Sequence, residues 1–281
     1  MEVRAQHGPK PYLTIRPTSG WQAIELAELW QYRDLLFTLA SRDISIRYKQ
    51  TVLGVVWVIL QPLISAGIFS FVFGKVAKLP SDGVPYFLFA FVGLQAWSLF
   101  NNTLSKSNGS LLGNAHLVSK VYFPRLILPL STLPSTLLDF AVAMGMLIIL
   151  MVIYHVAPGW GLFTLPLWLL LITMLAMGVG LITASLAVSF RDVNYILPVA
   201  MQFLMYGSPV AYAVSAVDPK LRFVYFLNPL SGLLEGFRWS VMNRGHLNSG
   251  VIAYSACFAV AAFVTGLFAF RRMEKRFADV I

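Results

Sequence analysis

The sequence has too few charges to clothe a water-facing surface. Asp, Glu, Lys and Arg make up 12% of it, where a soluble domain carries about 25%. Its single cysteine, Cys257, lies in an apolar run, which excludes an intramolecular disulfide and offers no thiolate metal cluster. Four histidines, His7, His116, His155 and His246, fall in separate segments and form no His-x-x-x-His pair, so no metal site is expected. No Gly-rich loop leads into Lys-Ser or Lys-Thr, which excludes phosphate binding through a P-loop. Acids and histidines are too scattered for a general acid–base centre, so no catalytic residues are expected and the chain is not read as an enzyme. The first 50 residues are polar and mixed in charge, unlike a secretory leader, so the first membrane helix is expected to be its own insertion signal.

What the sequence has in quantity is apolar length. Ile127 to Val156 holds only Asp139 as an ionised group, and Leu162 to Phe190 holds no Asp, Glu, Lys or Arg. A bilayer core of ~30 Å needs ~20 apolar residues per helix, and both stretches exceed that. The fold class expected is an all-α integral membrane protein with six transmembrane helices per protomer. The spans are placed at Val52–Phe73, Tyr86–Leu104, Leu126–Tyr154, Leu162–Ser189, Tyr195–Val214 and Val251–Phe270. This divides the chain into a cytoplasmic N-terminal segment (1–51), a transmembrane domain (52–270) and a basic tail (271–281). With the N-terminus inside, 15 of the 21 Lys and Arg fall on inner segments and 6 on outer ones. The positive-inside rule therefore puts both termini in the cytoplasm. A net charge of +9 is the basic edge expected of such a protein against anionic lipid, and no nucleic-acid partner is inferred from it.

Three segments outside the spans carry information. From Glu25 to Tyr48, Leu26, Leu29, Trp30, Leu36, Phe37, Ala40 and Ile44 recur at helical spacing between charged residues. Its direct join to the first span favours an N-terminal amphipathic interface helix over a soluble helix lying on the protein. The inner loop from Ser105 to Arg125 is long and only modestly polar, which suits docking into another protein or resting on the membrane. On the outer side, Asp218 to Gly245 is too apolar for a free loop, yet Asn228-Pro229 and several charges break it. Two re-entrant half-helices between spans five and six fit that pattern. Within it, Glu235 and Arg238 are spaced for a local ion pair.

Asp139 is the single acid well inside a predicted span. An intramembrane carboxylate points either to ion coupling or to pairing with a neighbouring polar side chain, and one isolated acid favours pairing. Phe, Tyr and Trp together make up 14% of the sequence. Most suit interfacial belts and helix packing. Trp57, Trp97, Tyr206, Tyr212, Tyr225 and Phe226 are the candidates for a channel lining, because aromatic faces pack on the C–H faces of sugar rings.

Several stretches resemble ABC-2 type permeases that export polysaccharide, the Wzm-type permeases of O-antigen and related glycans. They are Ser41-Arg-Asp-Ile-Ser-Ile-Arg-Tyr-Lys-Gln-Thr-Val-Leu-Gly-Val-Val-Trp-Val-Ile-Leu-Gln-Pro62, Leu117-Val-Ser-Lys-Val-Tyr-Phe-Pro-Arg125, Ser189-Phe-Arg-Asp-Val193, Tyr206-Gly-Ser-Pro209 and Asn228-Pro229. The similarity runs in order from about residue 20 onward. It implies a bacterial inner-membrane permease, a homodimer joined by two copies of a P-loop ABC ATPase subunit. ATP and Mg would then sit on that partner, with no cofactor bound by this chain. It implies a coupling helix at about Gly113–Phe123, so His116, Leu117, Lys120, Tyr122, Phe123 and Arg125, with Arg191 and Asp192, are expected to couple to the ATPase. Arg42, Arg47 and Lys49 would meet the head group of an undecaprenyl-pyrophosphate-linked glycan at the inner surface. The outer half-helices, Lys220–Asn243, would gate the exit. Two other readings stay open at this stage: a secondary transporter working alone, and an ABC-2 permease for drugs or small lipids.

Overall fold

A computed structural model describes residues 26–49, 54–244 and 247–280. Glu25 at the start of the interface helix, the Gln50–Leu53 join into the first predicted span, and the 1–25 part of the N-terminal segment lie outside these residues.

Every regular element among the described residues is helical. The order is α1 (Leu26–Gln31), α2 (Arg33–Lys49), α3 (Gly54–Phe69), α4 (Tyr86–Gly113), α5 (Ala115–Lys120), α6 (Ile127–Ile153), α7 (Leu165–Ser189), α8 (Val193–Tyr206), α9 (Arg222–Phe226), α10 (Pro229–Met242) and α11 (Ser249–Val280). The helical path of α3 continues as a π-helical stretch, Ser70–Val76, and a 3₁₀ turn, Trp160–Thr164, leads into α7. Four helical segments among the described residues are long and apolar enough to cross a bilayer: Val56–Val76, Ile127–Ile153, Trp160–Ser189 and Ser249–Glu274.

The other two predicted spans differ from expectation, each for a physical reason. Over its 28 residues, ~42 Å at 1.5 Å per residue, α4 is long enough. Its middle is rich in polar side chains, Gln95, Asn101, Asn102, Thr103, Ser107 and Asn108 among them. It tolerates them because it is the central helix, packed on α6 and α7 and buried through most of its length from Leu88 to Leu111. The predicted fifth span, Tyr195–Val214, ends early: α8 stops at Tyr206 after 14 residues, where Gly207, Ser208 and Pro209 turn the chain. That is short of the ~20 residues a crossing requires.

Small residues set the closest helix crossing. A Cβ placed on Gly178 of α7 would collide with the backbone of Ala262 in α11, and one on Gly266 would collide with Gly178. This is the close approach that apolar helices use to pack when lipid competes for their faces. On the other side of α7, Gly180 leaves room for Ser107 of α4.

The buried side chains form two clusters. The larger is built around α4, α7 and α10, with Phe89, Phe91, Trp168, Leu233 and Phe237 in it. The smaller joins α2, α5, α6, α7 and α11 through Leu39, Val118, Phe123, Ile127, Leu181, Phe270 and Phe277. It ties the predicted interface helix and the short α5 to the ends of the spans. The predicted inner loop is therefore mostly helix, since α4 runs to Gly113 and α5 follows after one residue. Helix α11 likewise passes the predicted start of the tail at residue 271 without a break. By contrast, α3 and α8 pack lightly. Trp57, Leu60, Ile64 and Ile68 on one, with Phe71 in its π-helical continuation, and Tyr195, Val199, Phe203 and Tyr206 on the other are exposed.

Candidate functional site

Three groups of side chains stand out: a charged cluster beside a polar cavity, a pinned turn after α8, and an exposed face around α5.

The charged cluster is centred on Asp139, whose side chain is 6% exposed. Its Oδ1 forms an ion pair with the Arg47 guanidinium at 3.0 Å and accepts from the Tyr48 hydroxyl at 2.6 Å, and its Oδ2 faces the Lys106 ammonium at 3.3 Å. Lys106 also donates to the Ser135 hydroxyl at 3.0 Å. The cluster thus joins α2, α4 and α6. A buried carboxylate without partners would be costly, and here it has three donors. Burial, reinforced by the hydrogen bond to Asp139, holds the Tyr48 phenol well above the ordinary tyrosine range, so it remains a donor at physiological pH.

Arg47 and Asp139 border a cavity of about 220 Å³ between α3, α4, α6 and α8. Its walls carry the amides of Gln61, Gln95, Asn101 and Asn102 and the hydroxyls of Ser65, Ser98 and Thr136, with Trp97 and Phe140 beside them. Such a lining binds through many moderate hydrogen bonds and aromatic faces, the chemistry that suits polyhydroxylated ligands.

The turn after α8, predicted to lie on the outer side, is held from several sides. Arg238, 3% exposed, sits on α10 with Glu235 at 2.6 Å and donates to the carbonyls of Pro209 and Val210. Its guanidinium lies 4.1 Å from the centre of the Phe89 ring. Gly93 makes room for this, because a Cβ there would strike Val210 and Arg238. Asn228 caps α10 by accepting from the Leu230 N–H at 3.0 Å and donates to the Ser208 hydroxyl at 2.8 Å. Tyr86 donates to the Ala211 carbonyl, and Tyr212 to that of Tyr206. The Gly-Ser-Pro and Asn-Pro motifs, 20 residues apart, are therefore two sides of one joint.

Helix α5 and the extended residues after it form the third group. Phe123 is buried in the smaller cluster, while His116, Lys120 and Tyr122 are exposed and Leu117 is half-buried. Arg125 turns inward: its N–H donates to the Glu274 carboxylate and its guanidinium to the Glu274 carbonyl, anchoring α6 to α11. Arg191 and Asp192 are exposed at the turn between α7 and α8, and no ion pair joins them.

The structure separates the residues expected at the lipid head group. Arg42 pairs with Asp43 at 3.1 Å and donates to Asn114 at 2.9 Å, beside the start of α5. Arg47 points to Asp139, and Lys49 is exposed. Of the six aromatic candidates, Tyr212, Tyr225 and Phe226 pack in a row, tilted and edge-on, with ring centres about 6 Å apart. Trp97 is packed against Phe100 yet borders the cavity, while Trp57 and Tyr206 are exposed on α3 and α8. Sequence reasoning missed Lys106, Tyr48 and Gln95. The available signal was charge: Asp139 in an apolar run needs a cation, and Lys106 and Arg47 are among those flanking the first three spans.

A bundle of long apolar helices around a polar central helix, with a polar cavity on its flank, defines a multi-pass membrane protein built as a transport domain. The chain belongs to the ABC-2 type transporter family, whose model matches residues 34–242. It is 28% identical over 252 residues to the O-antigen export system permease protein RfbA of Klebsiella pneumoniae, covering 88% of this chain and 95% of that one. It is 30% identical over 249 residues to the polysialic acid transport protein KpsM of Escherichia coli, covering 84% and 92%. The capsule polysaccharide export inner-membrane protein CtrC of Neisseria meningitidis is 24% identical over 246 residues, covering 85% and 87%.

Proposed function

We propose that the chain is the membrane-spanning subunit of a bacterial inner-membrane ABC exporter that moves a lipid-linked polysaccharide, O-antigen or a similar glycan. The observation that carries this reading is the near full-length similarity to permeases named for O-antigen, polysialic acid and capsule export. The amide- and hydroxyl-lined cavity supports it, since that lining fits sugar better than a hydrophobic drug. The relatives disfavour a secondary transporter working alone.

In this reading the chain forms a homodimer, with both termini cytoplasmic, around which two ABC ATPase subunits bind and hydrolyse ATP with Mg. α4 and α8 complete a set of six membrane-embedded helices, α8 within the assembly and not as an independent span. The lightly packed α3 and α8 face the partner copy and the pathway, and the row of Tyr212, Tyr225 and Phe226 lies toward the exit. His116, Lys120 and Tyr122 present the surface that meets the ATPase, with Phe123 as the anchor that carries its push into the bundle. Arg125, Arg191 and Asp192 brace that face. ATP-driven closure of the partner subunits displaces α5 and, through the smaller core cluster, α2 and α11.

The deciding experiment is deletion of the gene in its host. Accumulation of undecaprenyl-linked polymer on the cytoplasmic side is expected, and normal export with no accumulation would refute the reading. Co-purification of a P-loop ATPase with the tagged chain distinguishes it from a transporter working alone.

A further inference from the structure

Asp139 sits in a site built for an anion. Guanidinium, ammonium and phenol donors converge on its carboxylate from Arg47, Lys106 and Tyr48, with the Ser135 hydroxyl on the same ammonium. That donor set is the one that holds a phosphate, and here a side chain of the protein fills it. Among the described residues two cations, Arg47 and Lys106, face the Asp139 carboxylate, and Asp43 nearby is paired with Arg42. The cluster opens on the polar cavity, where Gln95 is 2% exposed and its amide nitrogen has no hydrogen-bond partner. A buried donor left unmatched in a polar cavity calls for an oxygen-rich ligand.

We infer that the Arg47–Tyr48–Lys106 cradle receives the phosphate or pyrophosphate end of the lipid-linked substrate, with Asp139 as a resident stand-in that the incoming anion displaces. The inference rests on the reading of the chain as an exporter of lipid-linked glycan, and the sugars next to the phosphate would lie among Gln61, Gln95, Asn101 and Asn102. Displacement has a structural consequence. Asp139 belongs to α6, Lys106 to α4, and Arg47 and Tyr48 to α2. A phosphate that takes over the cations frees α6 from α2, so substrate arrival loosens the joint that holds the interface helix. Arg42 and Lys49 take no part in the cradle.

The test is binding of inorganic pyrophosphate and of farnesyl pyrophosphate to the full-length chain in zwitterionic nanodiscs. Asp139→Asn removes the competing carboxylate and raises the local charge by one, so both probes are expected to bind about tenfold tighter. Lys106→Gln is expected to weaken both by a similar factor. Unchanged or weaker binding by Asp139→Asn overturns the inference and makes Asp139 a structural counter-ion. If that variant does not fold, Tyr48→Phe removes one donor of the cradle at unchanged charge and, like Lys106→Gln, is expected to weaken binding of both probes; parent-like binding by Tyr48→Phe and Lys106→Gln overturns the inference equally. Farnesyl pyrophosphate binding more tightly than the inorganic ion assigns the cradle to a lipid head group, while equal affinity refutes that source. Lost export on gene deletion together with unaltered binding by Asp139→Asn would sink the cradle alone. Expected binding with no accumulated polymer would sink the export reading instead.

Discussion

Arg238 and Asp139 show how a single ionised side chain is kept inside an apolar bundle. Each is met by an opposite charge and by groups from other elements, because a buried charge without partners is costly. Arg238 meets Glu235, two backbone carbonyls and the Phe89 ring. Arg238→Gln should therefore destabilise the protein by about 3–5 kcal/mol, since it strands Glu235 in the interior. Thermal unfolding in detergent reads this directly, and Arg238→Met/Glu235→Gln should recover most of the loss. The spacing of Glu235 and Arg238 announced their pairing. The reach to Pro209 and Val210, close to 30 residues back, was not legible, because no local pattern tells where a turn will fold onto a half-helix.

At the scale of elements, the α7–α11 crossing depends on glycine. Gly178→Val should cost about 1–3 kcal/mol by overpacking against the Ala262 backbone, measured as a lower melting temperature. Gly109→Ala, where an added Cβ meets nothing within 4 Å, should leave it unchanged or slightly higher. The face around α5 makes a different demand. Lys120→Ala/Tyr122→Ala removes exposed contacts without touching the core, so it should leave folding intact and cut co-purification with the ATPase at least tenfold. Equal recovery of the ATPase would show that this face is not where it docks. Arg125→Ala is a poor probe of docking, because Arg125 holds α6 to α11 through Glu274. The motif Leu117–Arg125 is legible as a segment, but only packing sorts its outward residues from its anchors.

At the scale of the whole molecule, the lone protomer leaves α3 and α8 with long exposed apolar faces. Native mass spectrometry of the full-length protein should show twice the protomer mass of 31.2 kDa, and a monomer as the sole species would contradict the proposed dimer. An exposed apolar face of this kind is covered by lipid or by a partner helix. The polar cavity is lined in part by α3, through Gln61 and Ser65, and by Met205 of α8, so a partner copy covering these helices would also border the cavity.

By itself the sequence determined that the protein is helical and membrane-embedded, which family motifs it carries, and where its long apolar helices run. Those properties follow from local hydropathy, helical periodicity and residue order, and each can be read within a short window. Tertiary structure alone decided that α4 is the polar centre of the bundle, that α8 stops short, and that Asp139 meets Arg47, Tyr48 and Lys106. The reason is physical: a polar side chain in a membrane bundle is tolerated or costly according to what faces it, and what faces it comes from helices distant in the chain.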